Sequence, residues 1–192
     1  MRRTTWIALA AVAALVAVAA AGAIGAGSGA ERVNATFSAS STAGPTIKTC
    51  AVTRADTYSK FAADYAGRLV TDRDEVLILQ FIGDKIIFSA NTGLGTVKGK
   101  FNLVEPDTRT IVGHGELDGV FSGDPSSVGD PNLFGGNVSG MLRGFEDPNE
   151  RTIIWLFSAS LSDGGRTLSG FIGDRNLMPA AAILFPPDPC VR

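Results

Sequence analysis

From Glu75 onward, apolar and polar residues alternate with a period of two, and clusters of Gly, Pro, Asp and Asn interrupt the alternation at short intervals. This is the signature of successive antiparallel strands with one face turned inward. EVLILQFIG and KIIFSAN read as a hairpin joined at Gly83-Asp84, and TVKGKFNLVE runs into Pro106-Asp107-Thr108. RTIVGHGELDGVFSG, GGNVSGMLRGFE, RTIIWLFSASLS and RTLSGFIG follow, separated by turn-forming residues, and PAAAILF is the last apolar run. Segments this short leave no room for crossover helices, which argues against a parallel sheet. Upstream the period changes. Tyr58, Phe61, Ala62, Tyr65, Ala66 and Leu69 recur at spacings of three and four, which predicts a short helix over residues 56–67, with an irregular loop as the other reading. Residues 31–55, rich in Ala, Ser and Thr, read as an N-terminal arm or lead-in strand, and residues 56–190 as a single domain.

Four strands repeat one element. Val97, Gly99 and Phe101 alternate along one strand, as do Leu117, Gly119 and Phe121, then Val138, Gly140 and Leu142, then Leu168, Gly170 and Ile172. All three residues of each set share a face. Glycine inside a strand costs stability and needs a structural reason, and the curvature of a small closed barrel supplies one. Gly99, Gly119, Gly140 and Gly170 are therefore expected to be structural glycines. The predicted fold is all-β: a small closed antiparallel β-barrel of about eight strands with a short helix near its N-terminus. A β-sandwich accounts for the alternation equally well but less well for the glycines.

The strands IVGHGELDGVFSG and NVSGMLRGF resemble those of the allene oxide cyclase barrel group, which includes the dirigent proteins. The likeness runs over residues 75–185. It implies an eight-stranded antiparallel barrel with an apolar interior and, in enzymatic members, cyclisation of an unstable fatty-acid epoxide without a bound cofactor. No catalytic motif of those enzymes occurs here, so the resemblance assigns no active residue.

The N-terminus adds a compartment. Arg2 and Arg3 precede an uncharged stretch from Thr4 to Ala30 that ends in small residues, the plan of a signal peptide over residues 1–30 with cleavage before Glu31. Retained, the same stretch would be an anchor, because Ile7 to Ala26 spans about 30 Å as a helix. The protein is expected to be secreted or held in the cell envelope, with membrane contact only if that segment is kept. An oxidising compartment would join Cys50 to Cys190, the chain's two cysteines, as a structural disulfide. Residues 1–30 carry two arginines and no acid, so removing them takes the formal charge from −2 to −4. Signs are scattered along the remaining chain, which gives no sequence footprint for nucleic acid or anionic lipid.

Candidate chemistry is sparse. One histidine and two cysteines nearly exclude a classical zinc site. His114 lies between inward glycines and is expected to face solvent, where general-base work has no partner to direct it. Glu116, Asp118 and Arg143 should decorate the outer face. Acids at Glu105, Asp107, Asp124, Asp130, Glu146, Asp147 and Glu150 fall in turns, where Asp bonds its own backbone; the loop from Asp124 to Asp130 lacks EF-hand spacing for calcium. In TIIWLF both strand faces are apolar, so the outer one needs cover from the helix, the arm or a second copy in a homo-oligomer. Without catalytic, metal or cofactor-binding residues to name, the leading expectation is an exported barrel holding a small hydrophobic molecule. A cofactor-independent cyclase or isomerase, and a non-catalytic structural protein of the envelope, are the alternatives.

Overall fold

The computed structural model describes residues 34–127, 132–147, 151–174 and 190. The leader at residues 1–30 and the apolar run at residues 179–185 lie outside them. Nine strands follow in order: β1 (Ala35–Ser41), β2 (Thr46–Val52), β3 (Thr57–Thr71), β4 (Val76–Ser89), β5 (Leu94–Val104), β6 (Ile111–Gly123), β7 (Gly136–Glu146), β8 (Arg151–Ser162) and β9 (Thr167–Asp174). Each of β3 to β9 pairs antiparallel with the next, and β1 pairs with both β9 and β3. Eight strands thus close into a barrel, and β2 lies against β3 outside the closed ring. Closure satisfies the edges that an open sheet would leave exposed. The only helical turn among the described residues is a single 3₁₀ turn at Pro125–Ser127, and no described helix is long and apolar enough to cross a membrane.

The helix expected near residues 56–67 is instead the first two-thirds of β3. Its burial follows a period of two: Ser59, Phe61, Ala63, Tyr65 and Leu69 are buried. Of the residues that suggest helical spacing, Phe61, Tyr65 and Leu69 face inward and Tyr58, Ala62 and Ala66 outward, and pairing with β2, β1 and β4 overrides the local pattern. The expected arm is also wall. Residues 35–41 form the strand that closes the barrel, as the lead-in reading has it, so among the described residues neither helix nor arm lies over the outer face of β8.

Gly83-Asp84 is not a hairpin turn. β4 runs through it as one strand with an extra residue: Ile82 pairs with Lys100 and Lys85 with Lys98, leaving Gly83 and Asp84 opposite Gly99 alone. A β-bulge of this kind shifts every later side chain to the other face. Leu79 and Phe81 point inward before it; Asp84, Ile86 and Phe88 do so after it.

The interior is packed by aromatic rings. Phe61, Phe81, Phe88, Phe101, Phe121, Phe134 and Phe157 are all almost wholly buried. Phe134, from the loop before β7, stacks on Phe61 at 4.6 Å and on Phe121 at 5.4 Å, plugging one end. Trp155, Ile153 and Phe157 share the inward face of β8, as the alternation predicts.

Candidate functional site

Three irregularities meet at one height of the wall. The chain leaves the ladder between Ser41 and Thr46, where β1 gives way to β2 along the same side of β3. The facing segment of β3 is Ala63-Asp64, and beyond it lies the β4 bulge. Asp64 ties the three together. Its backbone carbonyl accepts from Thr42 N at 2.9 Å, and its Oδ1 accepts from Gly83 N at 2.5 Å. Outside this seam is a cleft of about 200 Å³ lined by Ala43, Gly44, Ala62, Ala63, Asp64, Gly83, Asp84 and Lys85.

Asp84 also lines the barrel interior. Its side chain is 5% exposed, and Oδ1 has no hydrogen-bond partner. It borders an internal cavity of about 20 Å³, shared with Phe61, Tyr65, Phe81, Phe157, Leu161 and Leu168 among others. That volume suits a single water. Gly99 makes the arrangement possible, because a Cβ there would overlap Asp84 Oδ1. Burial, and secondarily the charge of Asp64, raises the Asp84 carboxyl well above the usual carboxylate range. A neutral carboxylic acid offers an O–H donor to whatever shares its cavity. The Tyr65 phenol is likewise pushed up, by burial first and by Asp84 second. It donates to the Gly165 carbonyl at 2.6 Å, leaving its oxygen free to accept.

Of the residues singled out from the sequence, Gly99 belongs to this site and the others fall elsewhere. Cys50 on β2 is bonded to Cys190, closing a loop of 140 residues. Val138, Gly140 and Leu142 face inward, as do the corresponding residues of the other three repeats. At Gly119, Gly140 and Gly170 the reason for glycine is close approach as well as curvature: a Cβ would meet a carbonyl of the adjacent strand, at 2.7 Å in the case of Gly119 and Ser139. His114 is exposed as expected, and its Nδ1 lies 3.1 Å from Asp147 Oδ2. Asp118 pairs with Arg143 on the outside. Asp124 caps the 3₁₀ turn, accepting from Ser126 N at 2.9 Å, which holds its carboxyl below the usual range. No group of three or more metal-ligating side chains occurs among the described residues.

Asp84 and Tyr65 were the residues missed by the sequence reading. The signal was present in VLILQFIGDKIIF, where the apolar parity passes from odd to even numbers across residues 82–85. No family model, curated protein or solved structure matches the chain. Likeness to the allene oxide cyclase group therefore stands on the strand pattern alone.

Proposed function

We propose that the chain is an exported β-barrel that binds a small, mostly apolar molecule carrying one hydrogen-bond acceptor, with Asp84 as its polar contact. The observation that carries this reading is the Asp84 carboxyl: buried, without a partner at Oδ1, and set against an apolar cavity. Burying a polar group without a hydrogen bond costs about 1–3 kcal/mol by mutational measures. A barrel serving only as a brick has no need of an acid there, and an apolar side chain of similar shape would avoid the desolvation cost. The presence of the acid despite that cost, with a glycine opposite that makes room for it, supports a use for it. The closed interior leaves water-sized space, so a larger guest requires Phe61, Phe157 or the Leu161–Leu168 pair to move. The seam supports an entry route, since Asp84 borders both the outer cleft and the inner cavity. The disulfide supports export, because such bonds persist in oxidising compartments.

A second reading is favoured by the same acid. A carboxyl kept neutral in an apolar site can donate a hydrogen bond or proton to a reacting oxygen, which suits a cofactor-independent cyclase or isomerase. Native mass spectrometry of protein purified from its own host, compared with the denatured mass, tests the binding reading. We expect a stoichiometric organic adduct on the wild type that is absent from Asp84→Ala. Unadducted protein, together with no thermal shift from a panel of small ketones, ethers and alcohols, would instead favour the structural envelope role.

A further inference from the structure

The chain has five lysines, Lys48, Lys60, Lys85, Lys98 and Lys100, and the register gathers all of them on the outer face of β2 to β5. Lys48 stands directly opposite Lys60, and Lys85 directly opposite Lys98. Cβ atoms of such pairs are about 4.5–5.5 Å apart. Lys60 pairs with Ile87, which makes Lys85 its diagonal neighbour at about 7–8 Å. Lys100 follows Lys98 on the same face of β5. The five ammonium groups thus run in single file, obliquely across four strands. Like charges placed opposite one another destabilise a sheet, and two such pairs occur on a chain whose formal charge is −2.

We propose that this band is a docking surface for a linear acidic polysaccharide. Charge complementarity to Lys48, Lys60 and Lys85 calls for an anion, and the single-file arrangement matches a thread whose charges repeat at intervals of several ångströms. Acids border the band. Glu116 and Asp118 face Lys100 and Lys98 from β6, with Asp118 held by Arg143, and Asp64 lies beside the seam. An anionic bilayer would press against those acids as well as the lysines, whereas a thread follows the lysines between them. Single-stranded nucleic acid binds through successive bases stacked on rings. On this face Tyr58 stands, half-buried, at one end of the band. The band lies outside the interior cavity, and Lys85 is the one lysine it shares with the outer cleft.

Isothermal titration of the oxidised protein with polygalacturonate, at low and at physiological salt, tests this. Binding should weaken steeply with salt. Lys60→Gln combined with Lys85→Gln should weaken it by about tenfold or more, without lowering the melting temperature, since like-charge contacts are removed. Arg68→Gln and Arg166→Gln, outside the band, should change it less than about twofold. Absence of polygalacturonate binding at low salt would overturn the proposal. So would equal losses from the arginine variants, or tighter binding to phosphatidylglycerol vesicles or an oligothymidine than to the polysaccharide.

Discussion

Asp84 and Gly99 behave as one unit at the scale of single residues. In the unfolded chain an aspartate ionises near pH 3.9; in the barrel burial keeps Asp84 protonated to much higher pH. Above about pH 4 the unfolded state therefore binds fewer protons than the folded one, and stability falls by up to about 1.4 kcal/mol per pH unit until the folded group itself ionises. Below that range the term vanishes. Asp84→Asn removes it, so the melting temperature of the variant should exceed that of wild type by a margin that is small at pH 4 and widens toward pH 7. A constant margin across that range, followed by calorimetry, would contradict burial of a neutral acid. Gly99→Ala should cost about 1–3 kcal/mol in denaturant unfolding, because the new methyl overlaps the carboxyl. Most of that cost should disappear in an Asp84→Ala background. Neither residue could be paired with the other from the sequence. Gly99 was legible as a special position, but the reason for it sits on the neighbouring strand, across a bulge whose Gly-Asp chemistry also suits a turn.

Strands and their connections were legible where one face is buried and the other solvated. β6 and β7 alternate cleanly, and with β8, apolar on both faces in its first half, they fall where the sequence places them. β3 does not, because its Ala and Tyr residues suit either period and the choice of strand is made by its pairing with β2, β1 and β4. The residue missed in the same way is Phe134, which a loop without periodicity delivers into the barrel end. Phe134→Ala should destabilise by about 3–5 kcal/mol, with exposure of the Phe61–Phe88–Phe121 cluster measurable as increased binding of an apolar dye.

For the whole molecule, two covalent and topological closures act together. The ring from β1 to β9 brings the N-terminal strand against the C-terminal one, and the Cys50–Cys190 bond closes a loop of 140 residues that contains β3 to β9. In the chain-entropy picture a loop of that length contributes up to about 5 kcal/mol by restricting the unfolded state. Cys50→Ser with Cys190→Ser should lower the unfolding free energy by as much as that amount while leaving the barrel's far-UV circular dichroism unchanged. Barrel class and cysteine pairing were both readable from the sequence, since alternation, glycine spacing and a lone cysteine pair are local or countable features. Convergence of the five lysines was not, because it exists only once the strands are in register. Carboxyl-carbon NMR of aspartate-labelled protein, with Asp84 assigned by the Asp84→Asn variant, tests the neutral interior acid most directly. The Asp84 signal should titrate well above the ordinary carboxylate range, whereas titration near pH 4 would contradict the site proposed here.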